Sequence, residues 1–299
     1  MSEIIIHEVG PRDGLQVEKQ VVATEQKLGW IRSLIDAGVD IVQVGSFVHP
    51  EKVPQMADTD ALFCTLAAEP RGDTILSGLV LNEKGLERGL ACGVEMFCLG
   101  VSASETHSLK NTGMGSEEAQ RRIIATARAA VAAGSKVQVS VQSAFGCGFE
   151  GLVPEERVLG IVRAYLEAGL TNISLADTAG HAHPGQVRRL FGRIRELAPE
   201  IRCTCHFHDT YGLGMANVHA ALESGVVSFE TSVAGLGGCP FTKVAAGNVA
   251  TEDLVHALRR SGLRAEINLD AIIAVAREVA THFGREMPGR VYKTGPLPC

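Results

Sequence analysis

Two histidines two residues apart stand in the run Cys203-Thr204-Cys205-His206-Phe207-His208-Asp209. On a strand, residues i and i+2 point to the same face, so His206 and His208 present two imidazoles side by side. One histidine there would read as a core residue; two at the mouth of a barrel read as metal ligands. Near the N-terminus, Gly10-Pro11-Arg12-Asp13-Gly14-Leu15-Gln16 fences an Arg–Asp pair with Gly and Pro. Alone, that is a turn with an exposed ion pair, which contributes little. Further on, the Gly-rich stretch 235–247 carries Cys239 and is followed by Asn248. Such a stretch reads as a closing lid, and a thiol within it suggests use. Asn248 could be a helix N-cap or offer its amide oxygen to a hard cation. Together, Asp13, His206, His208 and Asn248 make a mixed N/O donor set suited to an octahedral ion such as Mg²⁺ or Mn²⁺. Arg12 beside them is a fixed cation for a developing oxyanion. Cys203-x-Cys205-His206-x-His208 fits a zinc knuckle poorly. These two cysteines are expected to face the barrel interior lower on the strand.

The elements that must position these residues alternate regularly. Strand-like runs fall at 4–8, 41–44, 74–80, 96–100, 136–141, 172–175, 203–208 and 229–233. Amphipathic segments lie at 25–37, 58–68, 83–91, 117–133, 154–168, 184–197, 213–223 and 251–260. A further helix is expected at 269–283. The segments DAGVD, ACGVE, AAGSK, EAGLT and ESGVV each place Gly where a helix closes before the next strand. Helix, Gly, strand, repeated in this way, marks βα units with parallel strands. The fold class is therefore α/β, a (β/α)8 TIM barrel with an extra C-terminal helix, in a single domain over 1–299. A doubly wound sheet is the runner-up, but no G-x-G-x-x-G follows the first strand and no phosphate-binding P-loop occurs. The candidate residues all follow strands one, seven and eight, which are neighbours in a closed barrel, at the face where barrel active sites lie.

Composition narrows the partners. The 28 Lys+Arg and 34 Asp+Glu give a net charge of −6, and the isoelectric point near 5.9 argues against nucleic acid. Hydrophobic residues at 45% indicate a globular chain. The mean hydropathy of +0.13 comes without an unbroken apolar run long enough for a membrane span. The first residues read as a strand and not as a signal peptide. Eight cysteines in 299 residues are too dilute for a disulfide scaffold, so a reducing, cytoplasmic setting is expected.

At these residues the sequence resembles the 3-hydroxy-3-methylglutaryl-CoA lyase family. The likeness runs through EVGPRDGLQ, SFVHPEKVPQMAD, HFHDTYG and SVAGLGGCPFTKVAAGNVATEDL. It implies that Asp13, His206, His208 and Asn248 hold a divalent cation and that Arg12 stabilises a thioester enolate. It implies Cys239 as the lid acid/base, with His206 also among the catalytic residues, and Glu252 as a supporting carboxylate. The implied reaction is retro-Claisen cleavage of a 3-hydroxy-3-methylglutaryl-CoA-like thioester to acetyl-CoA and acetoacetate or another 3-oxo acid. An acyl-CoA partner and a homo-oligomer, a dimer, follow from the same likeness. Lys19 and Lys110 are candidate contacts for CoA phosphates, and Gln16 and Ser46 candidate pocket residues.

The chain departs from the family where the pocket walls are expected. Gln43 stands where a carboxylate is usual, Gln138 and Ser140 where Arg and Tyr are usual, and GCGFEG replaces GCPFEG. Cleavage is expected to persist, with a different group on C3 or at the carboxylate end and a roomier pocket. A condensing enzyme of the isopropylmalate-synthase type is a second reading, though its further C-terminal region is not expected after 283. A non-catalytic metal-binding barrel is a third. His181 and His183 are expected in a loop and at a helix start, and Cys299 as an idle tail thiol or, less favoured, a redox contact.

Overall fold

The structure, a computed structural model, describes residues 4–238 and 247–297. Eight strands pair in parallel and in sequence order, and β1 also pairs with β8, so the sheet is a closed barrel. The strands are β1 (Ile5–Glu8), β2 (Ile41–Ser46), β3 (Ile75–Leu79), β4 (Met96–Ser102), β5 (Lys136–Gln142), β6 (Asn172–Asp177), β7 (Arg202–Phe207) and β8 (Ser228–Thr231). The helices are α1 (Thr24–Asp36), α2 (Thr59–Ala67), α3 (Glu83–Ala91), α4 (Glu105–Thr112), α5 (Ser116–Ala132), α6 (Glu155–Glu167), α7 (Pro184–Leu197), α8 (Gly214–Glu223), α9 (Thr251–Arg260), α10 (Leu269–Phe283) and α11 (Val291–Thr294). None of the described helices is long and apolar enough to cross a membrane.

The glycines expected to close helices do so. Gly38, Gly93, Gly134, Gly169 and Gly225 all have φ between 75° and 87°, the left-handed region that an L side chain resists. Two helices were not foreseen. In α4, Ser104 caps the N-terminus by accepting from His107 N–H at 3.1 Å, and Gly113 ends it at φ 76°. It buries only His107 and Ser108, so it offers no apolar stripe to read. The short α11 is pinned when Arg290 and Val291 N–H groups donate to Asp253.

Alternation divides the strand residues between two environments. Outward-facing residues join a large apolar cluster beneath the helices. A smaller interior cluster of Ile41, Met96 and Cys98, flanked by Ile5, Ile75 and Leu79, plugs the bottom of the barrel. Cys203 and Cys205 belong to the outer cluster, with Phe207. This corrects the expectation that they face the interior. They are odd-numbered on β7, so the alternation that turns His206 inward turns them out. Cys98 is the interior cysteine, and burial pushes its thiol up to about 12.

Candidate metal centre and active site

The loop after β1 winds into a π-helical turn over Gly10–Gly14. Val9 carbonyl accepts from the N–H groups of Arg12, Asp13 and Gly14 at 3.1, 2.7 and 3.3 Å. Single π turns gather at functional sites because they re-aim side chains. The glycines permit close approach: a Cβ on Gly10 would lie 2.6 Å from Glu8 Oε1, and one on Gly14 2.7 Å from Leu236 Cβ. The turn presents Arg12 and Asp13 as an ion pair, Nη1 to Oδ1 at 2.7 Å, with side chains 12% and 22% exposed. It is partly buried, not the exposed ion pair that a plain turn would carry.

β7 delivers the two imidazoles. His206 Nε2 and His208 Nε2 lie 3.1 Å apart, and His206 Nε2 is 3.9 Å from Asp13 Oδ2. Among the described residues, Asp13, His206 and His208 form the cluster able to hold a metal ion, with one ligand atom each, all within 4.8 Å of one another. Asn248 joins them. Its backbone bridges to His208, and its Nδ2 donates to Asp13 Oδ2 at 3.0 Å and to Leu236 carbonyl at 2.9 Å. Its Oδ1 is buried with no donor among the described residues. An orphaned amide oxygen beside a carboxylate and two imidazole lone pairs fits a hard divalent cation. The helix-cap alternative fails, since α9 begins at Thr251 after Ala250.

Electrostatics follow this crowding. Burial alone would raise the Asp13 carboxyl, yet Arg12, the two histidines and the Asn248 hydrogen bond hold it well below the usual range. His208 is lowered to about 4 by burial and by neighbouring His206. Burial opposes the charging of His206, but Glu230 and Asp13 overcome it and raise its pKa.

Beneath the mouth lies a buried polar layer that sequence reasoning missed in part. Glu230 accepts from His206 Nδ1 at 2.8 Å, and His7 Nε2 meets Ser77 Oγ at 2.9 Å. The available signal was a charged residue inside an otherwise buried strand, as at Glu230 in β8. Gln43 and Gln138 are 1% and 3% exposed and lie within this layer, not on an open wall. Gln43 Oε1 accepts from Arg12 Nε, and Gln138 Nε2 donates to Glu230. Ser140 and Gln142 on β5 stay half-buried, and a Cβ on Gly100 would lie 2.2 Å from Ser140 Oγ.

The other predicted residues are dispersed. In β2 a register shift falls between Gln43 and Gly45, and Ser46 beyond it exchanges backbone hydrogen bonds with the Thr59 hydroxyl. Gln16 is half-buried, its Oε1 without a donor. Lys19 lines a cleft of about 730 Å³ with Gly235–Gly238 and Arg285. Lys110 is not among that cleft's residues; it lies in the last turn of α4, with Nζ 4.9 Å from the Phe149 ring centroid. Glu252 is fully buried and accepts from Ala234 N–H at 3.0 Å, holding the chain where the Gly-rich stretch begins. Burial raises Glu252 to about 8 and neighbouring Glu8 to about 7. His183 precedes α7 and His181 N–H donates to Asp177, as a loop and helix start require. Cys239 and Cys299 lie outside the described residues.

Known proteins share this fold. The HMGL-like family profile matches residues 3–279. The chain belongs to the HMGL-like family. A Bacillus subtilis HMG-CoA lyase structure superposes with a TM-score of 0.94 at 34% identity, covering 98% of each chain. An Acinetobacter HMG-CoA lyase, solved with coenzyme A and 3-methylmalate, gives 0.92 at 36%, covering 99% of this chain and 98% of that one. A Pseudomonas aeruginosa 3-hydroxy-3-isohexenylglutaryl-CoA/hydroxymethylglutaryl-CoA lyase is 35% identical over 98% of this chain and 97% of its own. This member of the HMGL-like family is an enzyme of the lyase class.

Proposed function

We propose that this lyase performs divalent-metal-dependent retro-Claisen cleavage of 3-hydroxy-3-methylglutaryl-CoA or a related 3-hydroxyacyl-CoA. The products are acetyl-CoA and acetoacetate or an analogous 3-oxo acid. The observation that carries this is the convergence of Asp13, His206 and His208 within 4.8 Å, with the orphaned Asn248 Oδ1 beside them and Arg12 tethered at their edge. Asp13, His206, His208 and Asn248 would hold a divalent cation, Mg²⁺ or Mn²⁺, which would supply Lewis acidity and make the substrate hydroxyl easier to deprotonate. As the tertiary hydroxyl gives up its proton, its O–H electron pair becomes the new carbonyl bond, the C2–C3 bond breaks, and that bond's pair passes to the thioester enolate. The enolate carbon takes a proton from the lid thiol, and the hydroxyl's proton restores that thiol, so no proton is gained or lost overall. Arg12, fixed by Gln43 and Asp13, stabilises charge on the thioester oxygen that exists only as the bond breaks, so it lowers the barrier. Cys239 is assigned the protonation of the enolate carbon; a thiol of ordinary pKa ~8.5 can serve. His206, whose Nδ1 is committed to Glu230, acts through Nε2.

Lys19, at the cleft beside Gly235–Gly238, is the stronger candidate for a CoA phosphate, and Lys110 the second. The acyl group is set on the β5 side, where Ser140 occupies little volume. A branch on C3 longer than methyl is the variant assigned to that side, and a P. aeruginosa relative is named for such a substrate, 3-hydroxy-3-isohexenylglutaryl-CoA. The same reading takes 1–299 as one barrel domain and the protein as a cytoplasmic homodimer with no nucleic-acid partner.

The test is a panel of 3-hydroxyacyl-CoA thioesters with Mg²⁺ or Mn²⁺, scored by acetyl-CoA release. Wild type should cleave at least one, and Asp13→Ala and Cys239→Ala should lose that activity. Full activity in both variants would overturn the assignment. A condensing enzyme would instead consume acetyl-CoA with a 2-oxo acid.

A further inference from the structure

The two ligand imidazoles are braced by different partners. His208 Nδ1 lies 3.0 Å from Thr178 carbonyl, so Nδ1 carries the proton and Nε2 keeps its lone pair. His206 Nδ1 instead lies 2.8 Å from Glu230 Oε2. A carbonyl is a neutral dipole, whereas a carboxylate also adds charge and makes the imidazole a stronger donor.

Glu230 is placed for this with little freedom. It sits directly across from His206 in the β7–β8 pairing and is 8% exposed. Its Oε1 accepts from the Gln138 side-chain amide, reaching across from β5. His7 Nδ1 stands 3.8 Å from the same oxygen and has no hydrogen-bond partner. A buried carboxylate needs hydrogen-bond partners to justify its desolvation, and Glu230 finds one on each oxygen. The donor from β5 is an uncharged amide, so the carboxylate faces His206 without a cation on its other oxygen.

We propose that Glu230 is the positioning carboxylate of the metal centre: it fixes His206 with Nε2 unprotonated and aimed at Asp13 and His208, and Gln138 holds Glu230 in place. The neutral Gln138 then has a role of its own. It anchors the carboxylate and leaves the negative charge to His206.

The inference rests on the metal reading, and its test separates the two. Mn²⁺ binding is measured by the loss of the free-ion electron paramagnetic resonance signal. The imidazole tautomers of the metal-free protein are read from long-range ¹H–¹⁵N correlations, at a pH high enough that both imidazoles are neutral. Wild type should bind Mn²⁺ and show His206 protonated at Nδ1. Glu230→Ala should weaken Mn²⁺ binding by roughly 10- to 100-fold, the range for removing an outer partner of a ligand histidine, and should release His206 into mixed tautomers. Glu230→Gln, which keeps an acceptor but no charge, should fall between. Gln138→Leu should give a smaller loss of the same sign, and it serves if Glu230→Ala does not fold. An unchanged dissociation constant in the folded variants, or His206 protonated at Nε2 in wild type, would overturn the proposal. Failure of wild type to bind Mn²⁺ would overturn the metal reading instead.

Discussion

β1, β7 and the segment after β8 bring Arg12, Asp13, His206, His208 and Asn248 to one arc of the barrel mouth, while β2 and β5 contribute the neutral Gln43, Gln138 and Ser140. The charged arc is dense and mutually fixed: Asp13 alone touches Arg12 and Asn248. On the neutral arc, two amides serve as braces, one for Arg12 and one for Glu230, and the serine is a small half-buried side chain. Under the proposed function, bond-breaking belongs to the charged arc together with the two amides that brace it, and substrate choice to Ser140.

The sharpest way to break that division is to remove a donor from the charged arc. Asp13→Ala should abolish both Mn²⁺ binding and cleavage, because two imidazoles and an amide are left without a carboxylate; retained activity would place the chemistry elsewhere. Next, Arg12→Met should cut kcat by about 10²–10³, the usual cost of losing one oxyanion donor, with Mn²⁺ affinity much less affected. A parallel collapse of metal binding would show that Arg12 serves mainly to position Asp13.

On the neutral arc, Ser140 should respond in specificity and not in chemistry. Ser140→Tyr should lower kcat/KM for a long-branched thioester relative to the methyl one by roughly 10- to 100-fold, while Mn²⁺ binding holds. An equal fall for both substrates would argue that Ser140 does not sort acyl groups.

The smallest expected effect lies outside both arcs, at the start of α9. Glu252 has a folded pKa of about 8 against an ordinary 4.5. In the intervening range the folded state holds the proton and the unfolded state does not. Its contribution is therefore full below about 4.5 and is lost as pH rises toward 8. Thermal melts of wild type should fall from pH 6 to pH 8.5, and Glu252→Gln should flatten that slope by an amount of order 1 kcal/mol. Parallel slopes would show that Glu252 is ionised in the folded protein.

The barrel was legible because its signals are local and repeated. Gly38, Gly93, Gly134, Gly169 and Gly225 each mark a helix end in the sequence and each adopts the left-handed conformation. Asp13, His206, His208 and Asn248 could be grouped because topology makes strands one, seven and eight neighbours. What escaped was whatever depended on contact across the barrel. Glu230 meets Gln138 over a separation of 92 residues, and no local pattern announces that pair. The facing of Cys203 and Cys205 was misread although alternation on the same strand settles it once His206 is placed inward. The π turn at Gly10–Gly14 escaped because its composition is that of any tight turn.

The account's central claim is that the charged arc is a metal-dependent carbon–carbon lyase centre. The most direct test is to strip the protein with a chelator, supply 3-hydroxy-3-methylglutaryl-CoA and its longer-branched analogues, and follow acetyl-CoA with and without added Mn²⁺. Release of acetyl-CoA only when Mn²⁺ is restored, and not from Asp13→Ala, is the predicted result. Equal release without any divalent cation, or none from any thioester with it, would contradict the account.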